Sequence, residues 1–133
     1  MTFIRANGTV LYLDMRGSGE PVILLADIGE DRSSWSFQVG RLSSRHFIVA
    51  PDNRGSGRSE SPVEPYTIGT MAQDVISLMD IIGLDKAHLI GHGMGGLIAQ
   101  SMAAKRPGRV KSLITICMPV RPTDEQRSIY QEW

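Results

Sequence analysis

Short apolar runs alternate along this chain with segments whose apolar residues recur at helical spacing. A continuous apolar run at Pro21 to Ala26 predicts a strand that is buried on both faces. Short apolar segments at Phe47 to Ala50 and Ala87 to Ile90 predict two further strands. From Trp35 to Leu42 and from Ile68 to Ile82, apolar residues recur every three or four positions, which predicts amphipathic helices. Strands alternating with helices predict βαβ units, and hence an α/β fold whose mostly parallel sheet has helices on both faces.

Both ends of this pattern add strands. Segments Thr2 to Ala6 and Thr9 to Met15 flank Asn7-Gly8, a dipeptide that suits a type I′ turn, so the chain opens with a predicted antiparallel hairpin. An apolar helix from about Met94 to Ala104 and a last strand from Val110 to Cys117 follow. The sequence therefore predicts a sheet of about six strands.

The length, charge balance and hydropathy of the chain limit which kinds of molecule it is expected to bind. The chain has 133 residues, enough for one domain with a buried core. Its 14 basic and 14 acidic residues cancel and form no run of like charge, which disfavours binding to nucleic acid or to an anionic membrane. No apolar stretch approaches the roughly 18 residues of a membrane span, and the N-terminus has no signal-peptide pattern. The cytoplasm is the expected location.

Cysteine usage predicts neither a disulfide nor a metal site. Cys117 is the only cysteine, and its apolar neighbours predict a small buried core residue. Zinc-type spacing of cysteine and histidine is absent, so we expect no metal.

The stretch from Leu89 to Gly96, L-I-G-H-G-M-G-G, places a glycine-dense turn between a strand and a helix. Gly91, Gly93 and Gly95 suit a turn in which backbone passes close to backbone and φ is positive. We therefore expect a sharp strand-turn-helix unit centred on Gly93.

This turn is similar to the nucleophile elbow G-x-S-x-G of the α/β-hydrolase family. The loop from Asp52 to Ser59, D-N-R-G-S-G-R-S, is similar to that family's D-x-R-G-x-G-x-S loop. Three shorter segments add to the match in the same order: G-E-D-R-S-S-W ending at Trp35, T-I-G-T-M-A-Q-D from Thr67 to Asp74, and L-I-A-Q from Leu97 to Gln100. The chain thus resembles the first half of an α/β-hydrolase, nearest to the enol-lactonases, small esterases and related C–C hydrolases.

The resemblance implies one truncated α/β-hydrolase domain over residues 1–133. Residues 119–133 would start the cap and the C-terminal half, and Thr123 with Gln126 resembles a capping box for a helix that begins near Asp124.

Two departures from the family pattern concern the nucleophile and the oxyanion hole. Gly93 stands where the family has serine, or less often aspartate or cysteine, so no side chain can form the covalent intermediate. The resemblance implies that the backbone N–H groups of Ile28 and Met94 are the oxyanion donors. However, Ala26-Asp27 replaces the usual His-Gly beside this hole, and the carboxylate of Asp27 would repel a developing oxyanion.

A third departure concerns the acid and the histidine, which the family carries after later strands and which this chain does not reach. We expect His92 to pack under the turn, and Asp52 and Arg54 to pair locally and shape their loop. Ser101 and Ser112 fall on a helix and a strand, where nothing marks either as a substitute nucleophile. His46 and His88 are expected to be strand-end residues.

Two interpretations of function follow. The first is a family member that is inactive as a serine hydrolase and acts as a binding or oligomerising module, or is a decayed gene product. The second is a fragment or variant of a carboxylic-ester or enol-lactone hydrolase. A small apolar ligand is compatible with both interpretations.

A third hypothesis is a dinucleotide-binding domain, since Gly91, Gly93 and Gly96 also satisfy G-x-G-x-x-G between a strand and a helix. That fold needs an acidic residue after the next strand, where this chain has Cys117 and Met118. We therefore predict no cofactor.

The last predicted strand, Val110 to Cys117, would be an open edge. An open edge recruits a partner strand, so we expect a homo-oligomer formed through this strand or by exchange of the segment after Pro119. In the alternative, Arg109 and Lys111 act as charged gatekeepers that keep the edge monomeric.

Overall fold

Strands and helices follow one another in the order that the apolar pattern predicts. The computed structural model describes residues 1–118. The strands are β1 (Thr2–Ala6), β2 (Thr9–Arg16), β3 (Glu20–Leu25), β4 (His46–Pro51), β5 (Ala87–His92) and β6 (Val110–Ile116). The helices are α1 (Ser36–Leu42), α2 (Ile68–Ile82) and α3 (Met94–Lys105), with 3-10 turns at Arg32–Trp35 and Pro107–Arg109. The helix predicted near Asp124 lies outside these residues.

The six strands form one mixed sheet in the order β1-β2-β4-β3-β5-β6. The pairs that involve β2 are antiparallel, whereas β4, β3, β5 and β6 run parallel. Val22 pairs with His88 in the register of β3 and β5, so these two strands are parallel neighbours. The carboxyl ends of β3, β4 and β5 therefore meet at one edge of the sheet.

The N-terminal hairpin has the predicted turn. Asn7 and Gly8 both have positive φ, 51° and 74°, as both central residues of a type I′ turn require. Asn7 is one of only two non-glycine residues with positive φ in the described part of the chain. The turn fixes the register in which Thr2 faces Leu13.

Helices cover both faces of the sheet, as predicted. On one face, α2 and α3 pack against a core that includes Ile23, Leu25 and Leu89. On the other face, Trp35 and Val39 pack against the alternate residues of β3 and β4. None of the helices in residues 1–118 is long and apolar enough to span a membrane.

The outermost strand corrects one prediction. Cys117 is exposed rather than buried, because it follows β6, which ends the sheet formed by residues 1–118 and has six of its seven residues exposed. An apolar sequence neighbourhood was a poor guide here, because burial at a sheet edge depends on what covers that edge.

The loop between β4 and α2 is held by buried ion pairs. Asp52 is fully buried and accepts hydrogen bonds from the N–H groups of Arg32 and Arg58 at 2.7 and 2.8 Å. Arg54 forms a bidentate pair with Asp74 of α2, with both N···O distances 2.6 Å. Hydrogen bonding to Asp74 raises the pKa of Arg54 above its ordinary value. The expectation that Asp52 and Arg54 shape this loop is confirmed.

Asp74→Ala should destabilise the protein strongly, because it leaves the buried Arg54 guanidinium without its partner. Loss of one member of a buried pair costs about 3 to 5 kcal/mol. Asp80→Ala is the matched control, since Asp80 lies on the same helix and its ion pair with Arg109 leaves the Asp80 side chain 60% exposed. That change should cost less than about 1 kcal/mol. Urea unfolding of both variants measures the difference, and equal losses would contradict the assignment.

Candidate functional site

The turn after β5 has the predicted sharp geometry. Gly93 follows the strand with φ 56° and ψ −120°, and α3 begins at the next residue. Its N–H donates to the carbonyl oxygen of Ile116 at 2.9 Å, and its carbonyl oxygen accepts from the N–H of Gly96 at 2.9 Å. The backbone thus reverses within a single residue whose φ disfavours any side chain.

Close backbone packing explains the two flanking glycines. A Cβ atom at Gly91 would meet the backbone of Gly95 and Gly96, and a Cβ atom at Gly95 would meet the carbonyl groups of Leu25 and Ala26. The turn therefore packs directly on the end of β3. This contact brings the segment after Ala26 to the start of α3.

Asp27 occupies the position expected of the oxyanion hole. Its Oδ1 accepts hydrogen bonds from the backbone N–H groups of Ile28 and Met94, each at 2.7 Å. These are the two donors that the sequence resemblance implied for an oxyanion. Met94 is the first residue of α3, so the partial positive charge of the helix N-terminus adds to the stabilisation of the carboxylate.

The same carboxylate fills the space that a side chain at position 93 would need. A Cβ atom built on Gly93 meets the Oδ1, Cγ and Oδ2 atoms of Asp27 before any other atom. The two departures from the family pattern, which the sequence presented as independent, are therefore one local arrangement. Sequence reasoning expected Asp27 to act on an oxyanion from nearby and missed that its carboxylate accepts from both of the donors that the resemblance implies.

The free oxygen of Asp27 defines the electrostatics of the site. Oδ2 makes no hydrogen bond or ion pair with any residue of the described range 1–118. His92 does not pack under the turn as expected, because it is half-buried with its Nδ1 3.7 Å from Glu30 Oε2. His46 and His88 lie near the start of β4 and β5, at the opposite end of the sheet. Among residues 1–118, no hydrogen bond or ion pair joins the Asp27 carboxylate to a histidine.

A cleft of about 660 Å³ opens beside this turn. Ile28 and Met94 form its boundary with the elbow, and Tyr66, Ile68 and Met71 contribute much of its apolar wall. Pockets of this size and character hold small, largely apolar molecules.

The turn is a poor match to a dinucleotide site. In that fold the pyrophosphate binds at the helix N-terminus, with its negative charges close to the first N–H groups of the helix. Here the N–H of Met94 already binds the carboxylate of Asp27. A phosphate would meet a like charge there, which counts against the G-x-G-x-x-G hypothesis.

Comparison with known proteins agrees with this geometry. A profile of the alpha/beta hydrolase fold matches residues 20–133. The chain is 34% identical over 116 residues to RutD of Azorhizobium caulinodans, named as a carbamate hydrolase, a match that covers 87% of this chain and 44% of that protein. It thus spans less than half the length of such relatives.

Solved structures also resemble this chain. The enol-lactonase from Burkholderia xenovorans superposes with a TM-score of 0.79 at 34% identity, over 82% of this chain and 44% of that one. A thermophilic esterase from Thermogutta terrifontis gives a TM-score of 0.92 at 28% identity, over 98% of this chain and 51% of the other. The strand-turn-helix geometry, the sheet order and these matches together show that the chain belongs to the α/β-hydrolase fold family.

Proposed function

We propose that this chain performs no covalent serine-hydrolase chemistry at its elbow and acts instead as a binding module of the family. The observation that supports the proposal is the Asp27 carboxylate, which the N–H groups of Ile28 and Met94 hold in the space of a missing side chain at Gly93. Its ligand would be a small apolar molecule in the adjoining cleft.

The chemistry of acyl transfer explains why this arrangement is inert. The reaction needs a nucleophilic atom at the elbow and free donors for the oxygen that becomes negative. Gly93 supplies no such atom, and both donors are already engaged. The negative oxygen of a tetrahedral intermediate would have to displace the Asp27 carboxylate from these donors, and it would then lie beside a like charge. The two requirements fail at adjoining places, since the carboxylate that engages both donors also fills the space that a side chain at position 93 would need.

The alternative is a fragment or variant of an ester or lactone hydrolase. The enol-lactonase and the esterase that resemble this chain support it, as does the retained cleft. A longer polypeptide could supply an acid and a histidine, but neither would introduce a nucleophile at Gly93 or remove Asp27 from the hole. We therefore favour the binding module.

Association through β6 is a second proposal. This strand ends the described sheet and exposes 37% of Leu113, 51% of Ile114 and 41% of Ile116. Lys111 forms an ion pair with Glu20, and Arg109 forms one with Asp80. Because both charges are already paired, they oppose the approach of a second strand less strongly. Pairing of two β6 strands about a two-fold axis would satisfy the open ladder.

The native chain should acquire no adduct at its elbow when it is treated with a fluorophosphonate. Trypsin releases residues 87–105 as one peptide, which contains Gly93 and Ser101. Mass spectrometry should find this peptide unmodified, because it holds no activated nucleophile. An adduct on it would show that the elbow region is reactive and would refute the proposal. Gly93→Ser is the informative comparison, and it should also stay unlabelled.

Gly93→Ser and Asp27→Gly should be strongly coupled in stability. Alone, Gly93→Ser should cost about 2 to 4 kcal/mol, because the new side chain meets the Asp27 carboxylate and position 93 has positive φ. Asp27→Gly should cost about 1 to 3 kcal/mol through its two charge-assisted hydrogen bonds. The double variant should be more stable than the sum predicts by at least about 1 kcal/mol, since the clash is gone.

Gly40→Ala is the control for this cycle. A Cβ atom at Gly40 of α1 meets nothing within 4 Å and its φ is not positive, so alanine should stabilise α1 by about 0.5 to 1 kcal/mol. Chemical denaturation of the native chain and the three elbow variants gives the coupling. Additive losses would mean that Asp27 does not occupy the side-chain space at position 93.

Light scattering tests the association proposal. The native chain should give a dimer mass at micromolar concentration, and Ile114→Lys should shift it toward monomer, because a lysine on β6 is a gatekeeper. The matched change Val63→Lys, at a residue 97% exposed and outside the sheet, should leave the mass unchanged. A monomeric native chain would contradict the proposal.

A further inference from the structure

A polar cluster lies at the end of the sheet opposite the elbow. Glu20 begins β3, His88 is the second residue of β5, and Ser112 lies on β6. The register pairs His88 with Val22 on one side and with Ser112 on the other. Because paired residues share a face, His88 and Ser112 lie together on the face away from α2 and α3.

The three side chains form a continuous hydrogen-bonded chain. Ser112 Oγ lies 2.6 Å from His88 Nδ1, and His88 Nε2 lies 2.8 Å from Glu20 Oε2. The other oxygen of Glu20 accepts from Lys111 Nζ at 2.9 Å. The order is that of serine, histidine and acid.

The carboxylate determines where the imidazole proton resides. Hydrogen bonds from His88 and then from Lys111 lower the pKa of Glu20 to about 2, so Glu20 is ionised at neutral pH and can only accept. In the neutral imidazole, Nε2 therefore carries the proton that bonds to Glu20. Nδ1 is left with a lone pair directed at the hydroxyl of Ser112, which is the relation of a general base to a nucleophile.

We propose that Ser112 and His88, positioned by Glu20, form a nucleophilic serine site that is separate from the elbow and reacts with small activated acyl or phosphonyl compounds. Ser112 Oγ attacks the carbonyl carbon while its proton passes to His88 Nδ1. The carbon–oxygen bond to the leaving group then breaks, and the leaving oxygen takes that proton. The product is an acyl-Ser112 ester, which water hydrolyses by the same proton transfers in reverse roles.

Two features of the fold support reactivity at this place. Ser112 is exposed, so a reagent reaches it without a pocket, which favours small activated groups over a selected substrate. Ser112 also lies on the outermost described strand. A partner strand paired along this edge would extend the sheet in its own plane and would leave the sheet face, and hence the Ser112 hydroxyl, uncovered.

This site is independent of the elbow. From His88 to Gly93 the chain runs along β5, a separation of about 16 Å at roughly 3.3 Å per residue. No residue of the Asp27 arrangement contacts Glu20, His88 or Ser112 by a hydrogen bond. A loss of reactivity at Ser112 would therefore leave the proposal for the elbow intact, and the reverse also holds.

Labelling by a fluorophosphonate, located by peptide mass spectrometry, tests the proposal on the full chain. Trypsin cleaves after Lys111, so Ser112 begins its own peptide, distinct from residues 87–105. The native protein should carry one adduct, on Ser112, and Ser112→Ala should carry none. His88→Gln should slow labelling by about 100-fold or more, which is the usual contribution of a general base. Ser101→Ala should label at the native rate.

Glu20→Gln tests the positioning role. Loss of the carboxylate should slow labelling of Ser112 several-fold, because Glu20 no longer accepts from Nε2 of His88 and so no longer holds Nδ1 toward the hydroxyl. The urea midpoint should stay near the native value, since the Glu20 side chain is 60% exposed and its ion pairs add little to stability. A merely structural Glu20 would shift the urea midpoint and leave the labelling rate unchanged. An unlabelled Ser112, or a rate that His88→Gln does not alter, overturns the proposal. An adduct on residues 87–105 would instead overturn the proposed function of the elbow.

Discussion

Two hydrogen bonds from backbone amides to one carboxylate oxygen organise the end of this molecule where its family carries out chemistry. The amides belong to Ile28 and Met94, on segments far apart in sequence, and both face the same point because Gly95 packs on the end of β3. Donors converging on one point at a helix N-terminus attract negative charge. In this chain a carboxylate of the protein itself, that of Asp27, occupies this point, so the arrangement that would stabilise a transient anion stabilises the resting fold.

Much of the architecture could be predicted from local pattern. The strands β3, β4 and β5 are apolar without alternation because helices cover both of their faces, which itself identifies a parallel sheet. Asn7-Gly8 and Gly83 identify a turn and a helix end because their left-handed backbone excludes most other residues. Each of these features depends on a few residues that are neighbours along the chain, so a single sequence is enough to predict it.

The candidate site could not be predicted in the same way, because it depends on contacts between residues that are far apart in the sequence. Asp27 and Gly93 both departed from a family pattern, but only the fold shows that one fills the space left by the other. The sequence gives no sign that Ser112 is a nucleophile, because it predicts only that this residue lies on a strand. Its contact with His88 depends on the register of β5 and β6, which shifts between Ala87 and His88. The half-buried His92 and the exposed Cys117 likewise depend on which elements cover them.

The backbone of Gly93 has a consequence for what each position tolerates. In the family, a strained turn holds the nucleophile at an unfavourable φ, whereas glycine adopts 56° without that strain. A side chain introduced at position 93 meets the Asp27 carboxylate, and a change at Asp27 leaves two amides without their charged partner. Whether a substitution at one of these two positions is tolerated therefore depends on which residue stands at the other.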